Sequence, residues 1–195
     1  QAAIEKALPN TGMAVIHDVG DVNDIHPKNK QEVGRRLALL ALNQTYGRKD
    51  VVCRGPLFRQ MAIEPGRLRI GFENAEGGLK TRDGKTPDSF EIIGENGLFV
   101  AAEAALEGDA VVLSAPQVRE PVAVRYAWHK LASPNLTNQA GLPATAFRAG
   151  EIPVRADLDS TVPEAKPYTL IYSLDLPAAY ESNRVVYGVD RRSEV

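Results

Sequence analysis

The chain has 195 residues, 44% of them hydrophobic, enough to bury a core in one domain or two small ones. Its 23 basic and 25 acidic residues leave a formal net charge of −2 with no long run of either sign, which excludes nucleic acid and anionic membrane surfaces as expected partners. The single cysteine, Cys53, rules out an internal disulfide; with no Cys/His cluster there is no zinc pattern, and Cys53 reads as a buried small apolar residue.

The first segment, Gln1 to Leu8, has neither the basic start nor the apolar run of a signal peptide. It reads as the end of a helix already under way, so the expectation is a start internal to a longer precursor. No stretch approaches the roughly 18 consecutive apolar residues of a membrane-spanning helix. Pro9-Asn10-Thr11-Gly12 signals a turn, and the apolar run Met13 to His17 suits a buried strand. The polar stretch Gly20 to Lys30 follows, and in it His26 has Asp21 and Asp24 as neighbours. A histidine held by a carboxylate serves as the base in serine and cysteine hydrolases, so this loop reads as half of an active site. Both aspartates are also good turn-formers. Lys28, Asn29 and Lys30 read as a solvated approach to a helix with Pro27 near its first turn, the alternative being contact with a negatively charged substrate. Val33, Leu37, Leu40 and Ala41 then fall at helical spacing, predicting a helix over Gln31 to Tyr46 that Gly47 ends in a left-handed conformation. Strand, loop and helix in this order suit the last unit of an α/β domain.

From Val51 the helical periodicity stops. Strands are predicted over Phe58 to Ile63, Arg67 to Phe72, Phe90 to Ile93, Leu98 to Ala102, Val111 to Ser114 and Val122 to Ala127, with Gly-, Asn- and Asp-containing turns between them. That spacing predicts an antiparallel β-sandwich. Along the last of these strands Tyr126 and Trp128 alternate onto one face, either as a sugar-stacking platform or as core, with core the safer reading for at least one. Ser133 to Arg155 reads as closing loop, and Tyr168 to Leu174 and Arg184 to Val189 as two further strands. His17 and His129 lack a carboxylate patterned for catalysis, because Asp18 on a strand would face away from His17. Both read as structural.

Three blocks carry a family resemblance. Gly20-Asp21, Asp24-Ile25-His26-Pro27, Asn29-Lys30, Val33-Gly34 and Arg36-Leu37-Ala38 together resemble the C-terminal catalytic block of the sialate O-acetylesterases, a branch of the SGNH hydrolases. Gly55-Pro56-Leu57-Phe58 resembles the start of that family's β domain. Val124 to Trp128, Pro134-Asn135-Leu136, Asn138, Gly141 to Ala144 and Phe147-Arg148 resemble its closing signature.

The resemblance, which covers roughly residues 8 to 148, implies the C-terminal strand-loop-helix of an SGNH-type α/β hydrolase domain over residues 1–50 and a β-sandwich over 51–150; residues 151–195 lie beyond it and read as an accessory β tail or the start of a further domain. It implies an esterase removing acetyl groups from sialic acid, with His26 as catalytic base and Asp24 as the residue orienting it. Asn23 stands where most of the superfamily places the triad aspartate, which leaves Asp21 or a backbone carbonyl as the alternative to Asp24. The family's nucleophile lies in a Gly-rich block upstream, and Ser89, Ser114, Ser133, Ser160, Ser173, Ser182 and Ser193 all follow the histidine. The implied partners are therefore the N-terminal part of the same enzyme, carrying the serine and the oxyanion hole, and an O-acetylated sugar. No metal or organic cofactor is called for. Secretion, the periplasm or a lysosome is the implied location. Rival readings are an acetylxylan or other acetyl-sugar esterase, and a carbohydrate-binding or structural β module with a vestigial site.

Overall fold

The strongest helical pattern folds as expected. Lys30–Gln44 forms helix α1, and the Asn29 side chain caps it by accepting from the Glu32 N–H at 3.0 Å. The chain leaves the helix through Thr45, and Gly47 takes a φ of +70° that a β-carbon would disfavour. Pro27 lies two residues before the cap, outside the first turn. The computed structural model describes residues 7–21, 23–24, 26–95, 97–129 and 132–153. The helical remnant expected over Gln1 to Leu8 falls mainly on residues 1–6, and the strands expected over Tyr168 to Leu174 and Arg184 to Val189 fall in the tail; both lie outside the described residues.

The strand expected over Met13 to His17 is not a strand. His17–Val19 instead forms a 3-10 turn. An apolar run becomes a strand only when another strand pairs with its backbone, and among the described residues none lies alongside it.

Among the described residues ten strands follow: β1 (Leu57–Glu64), β2 (Arg67–Glu73), β3 (Leu79–Thr81), β4 (Phe90–Ile93), β5 (Phe99–Ala101), β6 (Glu103–Glu107), β7 (Ala110–Ser114), β8 (Ala123–Tyr126), β9 (Leu136–Asn138) and β10 (Phe147–Gly150). They pair into two four-stranded sheets, ordered β1-β2-β7-β6 and β10-β8-β4-β5, and a two-stranded β3-β9 ribbon. Every ladder is antiparallel. All six strands expected from the sequence form, with no end shifted by more than one residue. β9 and β10 correct the expectation of closing loop over Ser133 to Arg155. Two more strands, β3 and β6, carry no strand signal: β6 reads Glu-Ala-Ala-Leu-Glu, a helix-forming composition made extended by its ladder to β7.

Alternation along β2 turns Leu68, Ile70 and Phe72 inward, where they meet Val111 and Leu113 of β7. The second sheet sends Phe90 and Ile92 from β4, Val124 and Tyr126 from β8, and Phe147 from β10 into the same core. Phe147 is the junction, with ring centroids 4.7 Å from Phe58, 5.7 Å from Tyr126, 5.8 Å from Phe72 and 6.5 Å from Phe90. Burying each such side chain is worth roughly 1.5–3 kcal/mol. The described residues all belong to one compact unit, Gln1–Arg155.

Candidate active site

The loop between the 3-10 turn and α1 brings His26 and Asp24 together. One Asp24 carboxylate oxygen, Oδ1, lies 3.0 Å from His26 Nδ1 and also accepts the His26 backbone N–H at 2.8 Å. The second bond is a local turn in which an aspartate caps the N–H two residues on, and it swings the ring nitrogen onto the same oxygen. With Nδ1–H donating to the carboxylate, Nε2 carries the lone pair that accepts a proton. The His26 side chain is 75% exposed and that of Asp24 47%, so a reactant from outside these residues can reach the pair.

Asp21 is occupied elsewhere. Its carboxylate accepts the Asn23 N–H at 2.9 Å and lies 2.9 Å from Lys28 Nζ, two interactions that hold it below the usual carboxylate range. It ties the two arms of the loop together. Lys28 is thereby paired and Asn29 is spent on the helix cap. Asn23, at the position where an aspartate was anticipated, faces solvent.

Beneath the loop lies a charged network. The guanidinium of Arg36, a buried residue, donates to both Asp18 carboxylate oxygens at 2.6 and 2.7 Å, to the Val15 carbonyl, and to Glu32 Oε1 at 2.8 Å. Arg35 forks onto Glu32 as well, and these cations hold the Glu32 carboxyl down to about 2, with Arg35 contributing most. Burial alone would lower Arg36, but hydrogen bonds and charge from Asp18 and Glu32 raise it overall. His17, on the same turn, bonds the Ala144 backbone, while its Nε2 is buried without a partner among the described residues. Burial holds the ring below the usual imidazole range; Asp18 opposes this and Arg36 reinforces it. Sequence reasoning missed the roles of Asp18, Glu32 and Arg36. The available signal was the helical i, i+4 spacing of Glu32 and Arg36.

The second and third sequence blocks meet in space. Asn138 donates to the carbonyls of Arg54 and Asn74 and accepts the Leu142 N–H at 3.1 Å, using its amide in both directions. Thr145 N–H bonds the Pro56 carbonyl. A β-carbon on Gly55 would sit 2.0 Å from the Pro143 carbonyl oxygen, so only glycine fits that crossing. Asn135 ties Asp83, Thr86 and Asp88 to the start of β9. Cys53 is half-buried rather than buried, and lines a cavity of about 100 Å³ with Val15, Arg36, Arg54 and Leu142.

Tyr126 is fully buried in the core, whereas Trp128 is 48% exposed under the Arg148 guanidinium, 4.7 Å from its ring centroid. Their expected shared face fails at Ala127, whose φ of +50° ends the alternation. Ser89 donates to Asp88 and Ser133 accepts from Arg82. Ser160, Ser173, Ser182 and Ser193 lie outside the described residues. Neither of the two His26 hydrogen bonds described above involves a serine.

No protein-family model matches the chain. It is 36% identical over 91 residues to the mouse (Mus musculus) sialate O-acetylesterase, an alignment covering 44% of this chain and 16% of that protein. The crystal structure of a carbohydrate acetylesterase from Xanthomonas citri superimposes with a TM-score of 0.70 at 38% identity, covering 76% of this chain and 34% of that one. The chain thus spans well under half the length of either relative. Both are named for removing acetyl groups, and the chain is similar to acetylesterases in sequence and in its antiparallel sheets.

Proposed function

We propose that this chain carries the histidine–aspartate half of a carbohydrate acetylesterase site, with the serine and the oxyanion-binding amides supplied by an N-terminal part of the same enzyme. The His26–Asp24 hydrogen bond carries the reading. In the first step the serine oxygen attacks the acetyl carbonyl carbon and its proton passes to His26 Nε2, while Asp24 steadies the imidazolium. Collapse of the tetrahedral adduct breaks the bond to the sugar oxygen, which leaves with the proton from Nε2. Water then attacks the acetyl-serine, giving one proton to Nε2; the serine oxygen recovers that proton as it leaves, and acetic acid departs and ionises to acetate in solvent. No step calls for a metal or organic cofactor. In this reading residues before about 50 complete an SGNH-type α/β domain and the two sheets form its β-sandwich companion.

The substrate we favour is O-acetylated sialic acid, supported by the likeness to the mouse protein. A broader carbohydrate acetylesterase acting on substrates such as acetylated xylan is the second reading, supported by the Xanthomonas likeness. Such substrates place the enzyme outside the cell, in the periplasm or in a lysosome.

The test uses the enzyme that contains this chain together with its serine-bearing part. His26→Ala is expected to lower kcat on p-nitrophenyl acetate about 1,000-fold or more. Activity within tenfold of the parent would leave the chain as a binding or structural module with a vestigial site. Acetate release from O-acetylated sialic acid compared with acetylated xylo-oligosaccharides decides the substrate; indifference to sialic acid removes the first choice. The chain expressed without the serine-bearing part is expected to be inactive, and turnover by it alone would overturn the divided site.

A further inference from the structure

The loop that carries His26 is held by its two ends. His26 and Asp24 are exposed, so little packing fixes them, and the ring's place in space is set by the stems at the 3-10 turn and at the first turn of α1. One side chain touches both stems. Arg36 reaches the first stem through the Val15 carbonyl and both Asp18 oxygens, and the second through Glu32, whose own N–H is capped by Asn29. The side chains of Arg36 and Asp18 are only 5% and 9% exposed, so this clamp works in a dry setting where loosening one bond leaves a charge unpaired.

We propose that Arg36 is a positioning residue for the catalytic histidine: its guanidinium joins Asp18 to Glu32 and so sets the distance and angle at which the loop presents His26 to the ester. The proposal rests on the reading of His26 as the base. Stability alone is a weak reason for this arrangement, since buried ion pairs often contribute no more than apolar packing of the same volume. A planar group with donors on three nitrogens does what apolar packing does not, because it specifies the relative orientation of two backbone stems. Lysine keeps the charge but offers one nitrogen, and cannot bond Asp18 and Glu32 in the same plane.

In the full enzyme, Arg36→Lys is expected to lower kcat on p-nitrophenyl acetate by about 10- to 100-fold with KM within about twofold, the effect of moving a reacting group by an ångström or less. The loss should be absorbed in the Asp24→Asn background, because both changes act through the aim of one ring: the double variant should lie within about threefold of Asp24→Asn alone. Glu91→Gln, which breaks a bidentate but half-exposed ion pair with Arg125 between β4 and β8, should leave kcat unchanged. If Arg36→Lys does not fold, Asp18→Asn and Glu32→Gln each remove one arm of the clamp and should show the same kcat loss and the same absorption by Asp24→Asn. Wild-type kcat in folded Arg36→Lys, or in both single-arm variants, overturns the proposal, as does a loss that multiplies undiminished with Asp24→Asn. Should His26→Ala itself remain active, the reading beneath it fails, a result separable from an inactive His26→Ala beside a fully active Arg36→Lys.

Discussion

Two histidines nine residues apart, each near an aspartate, have opposite environments. His26 shares an oxygen of Asp24 in open solvent, whereas His17 is half-buried, with its Nε2 shut away from water, and its neighbour Asp18 belongs to Arg36. Sequence proximity does not separate the two cases, because the backbone decides where each carboxylate points. His17 leads to a prediction. Its folded pKa lies below the ordinary 6.5, so under acid conditions the unfolded chain takes up a proton that the folded chain refuses. Stability is therefore intact above pH 6.5 and falls as pH drops from 6.5 through the lowered folded value. His17→Gln should flatten the dependence of the urea midpoint between pH 7 and pH 5 relative to the parent, the other histidines being common to both; an unchanged slope would show that the half-buried ring does not contribute.

At the scale of elements, legibility followed locality. Helix α1 and the six stronger strands carry their signals within a few residues: period, β-branching, turn glycines. β6 does not, since its composition favours a helix and only the hydrogen bonds of β7 make it extended. Met13 to His17 fails in the reverse sense, with strand composition and no neighbouring strand among those described. Gly55 and Pro143 illustrate what pairwise approach demands. Replacing Gly55 by alanine forces a β-carbon onto the Pro143 carbonyl, so the crossing of the two segments must open. The expected cost is roughly 2–4 kcal/mol, in the range of overpacking and lost buried hydrogen bonds. A thermal melt of Gly55→Ala within a degree of the parent would contradict it.

Over the whole described unit, the two four-stranded sheets are joined by aromatic rings, and Phe147 contacts members of both. Phe147→Ala should therefore destabilise by about 3–5 kcal/mol, read as a shifted urea midpoint, because the cavity opens where the sheets meet and neither can close it alone. Phe147 lies in a segment that reads as loop, and nothing local marks it as the junction. The same is true of the asparagines: Asn135 and Asn138 were visible as a resemblance, but their work of tying loops 47 to 84 residues away is a matter of three-dimensional placement.

His26 with Asp21 and Asp24 beside it on a polar loop ahead of a helix, followed by antiparallel strands, was determined by the sequence alone. Those features depend on neighbours within a few positions and on residue types with strong local preferences. The tertiary structure decided that Asp24 rather than Asp21 holds the ring, that Asp18 and Glu32 clamp the buried Arg36 beneath it, and that β6, β9 and β10 are strands at all. Each of those depends on partners brought together by chain reversal, and a desolvated charge or an unpaired backbone group accepts whichever partner the fold places within about 3 Å.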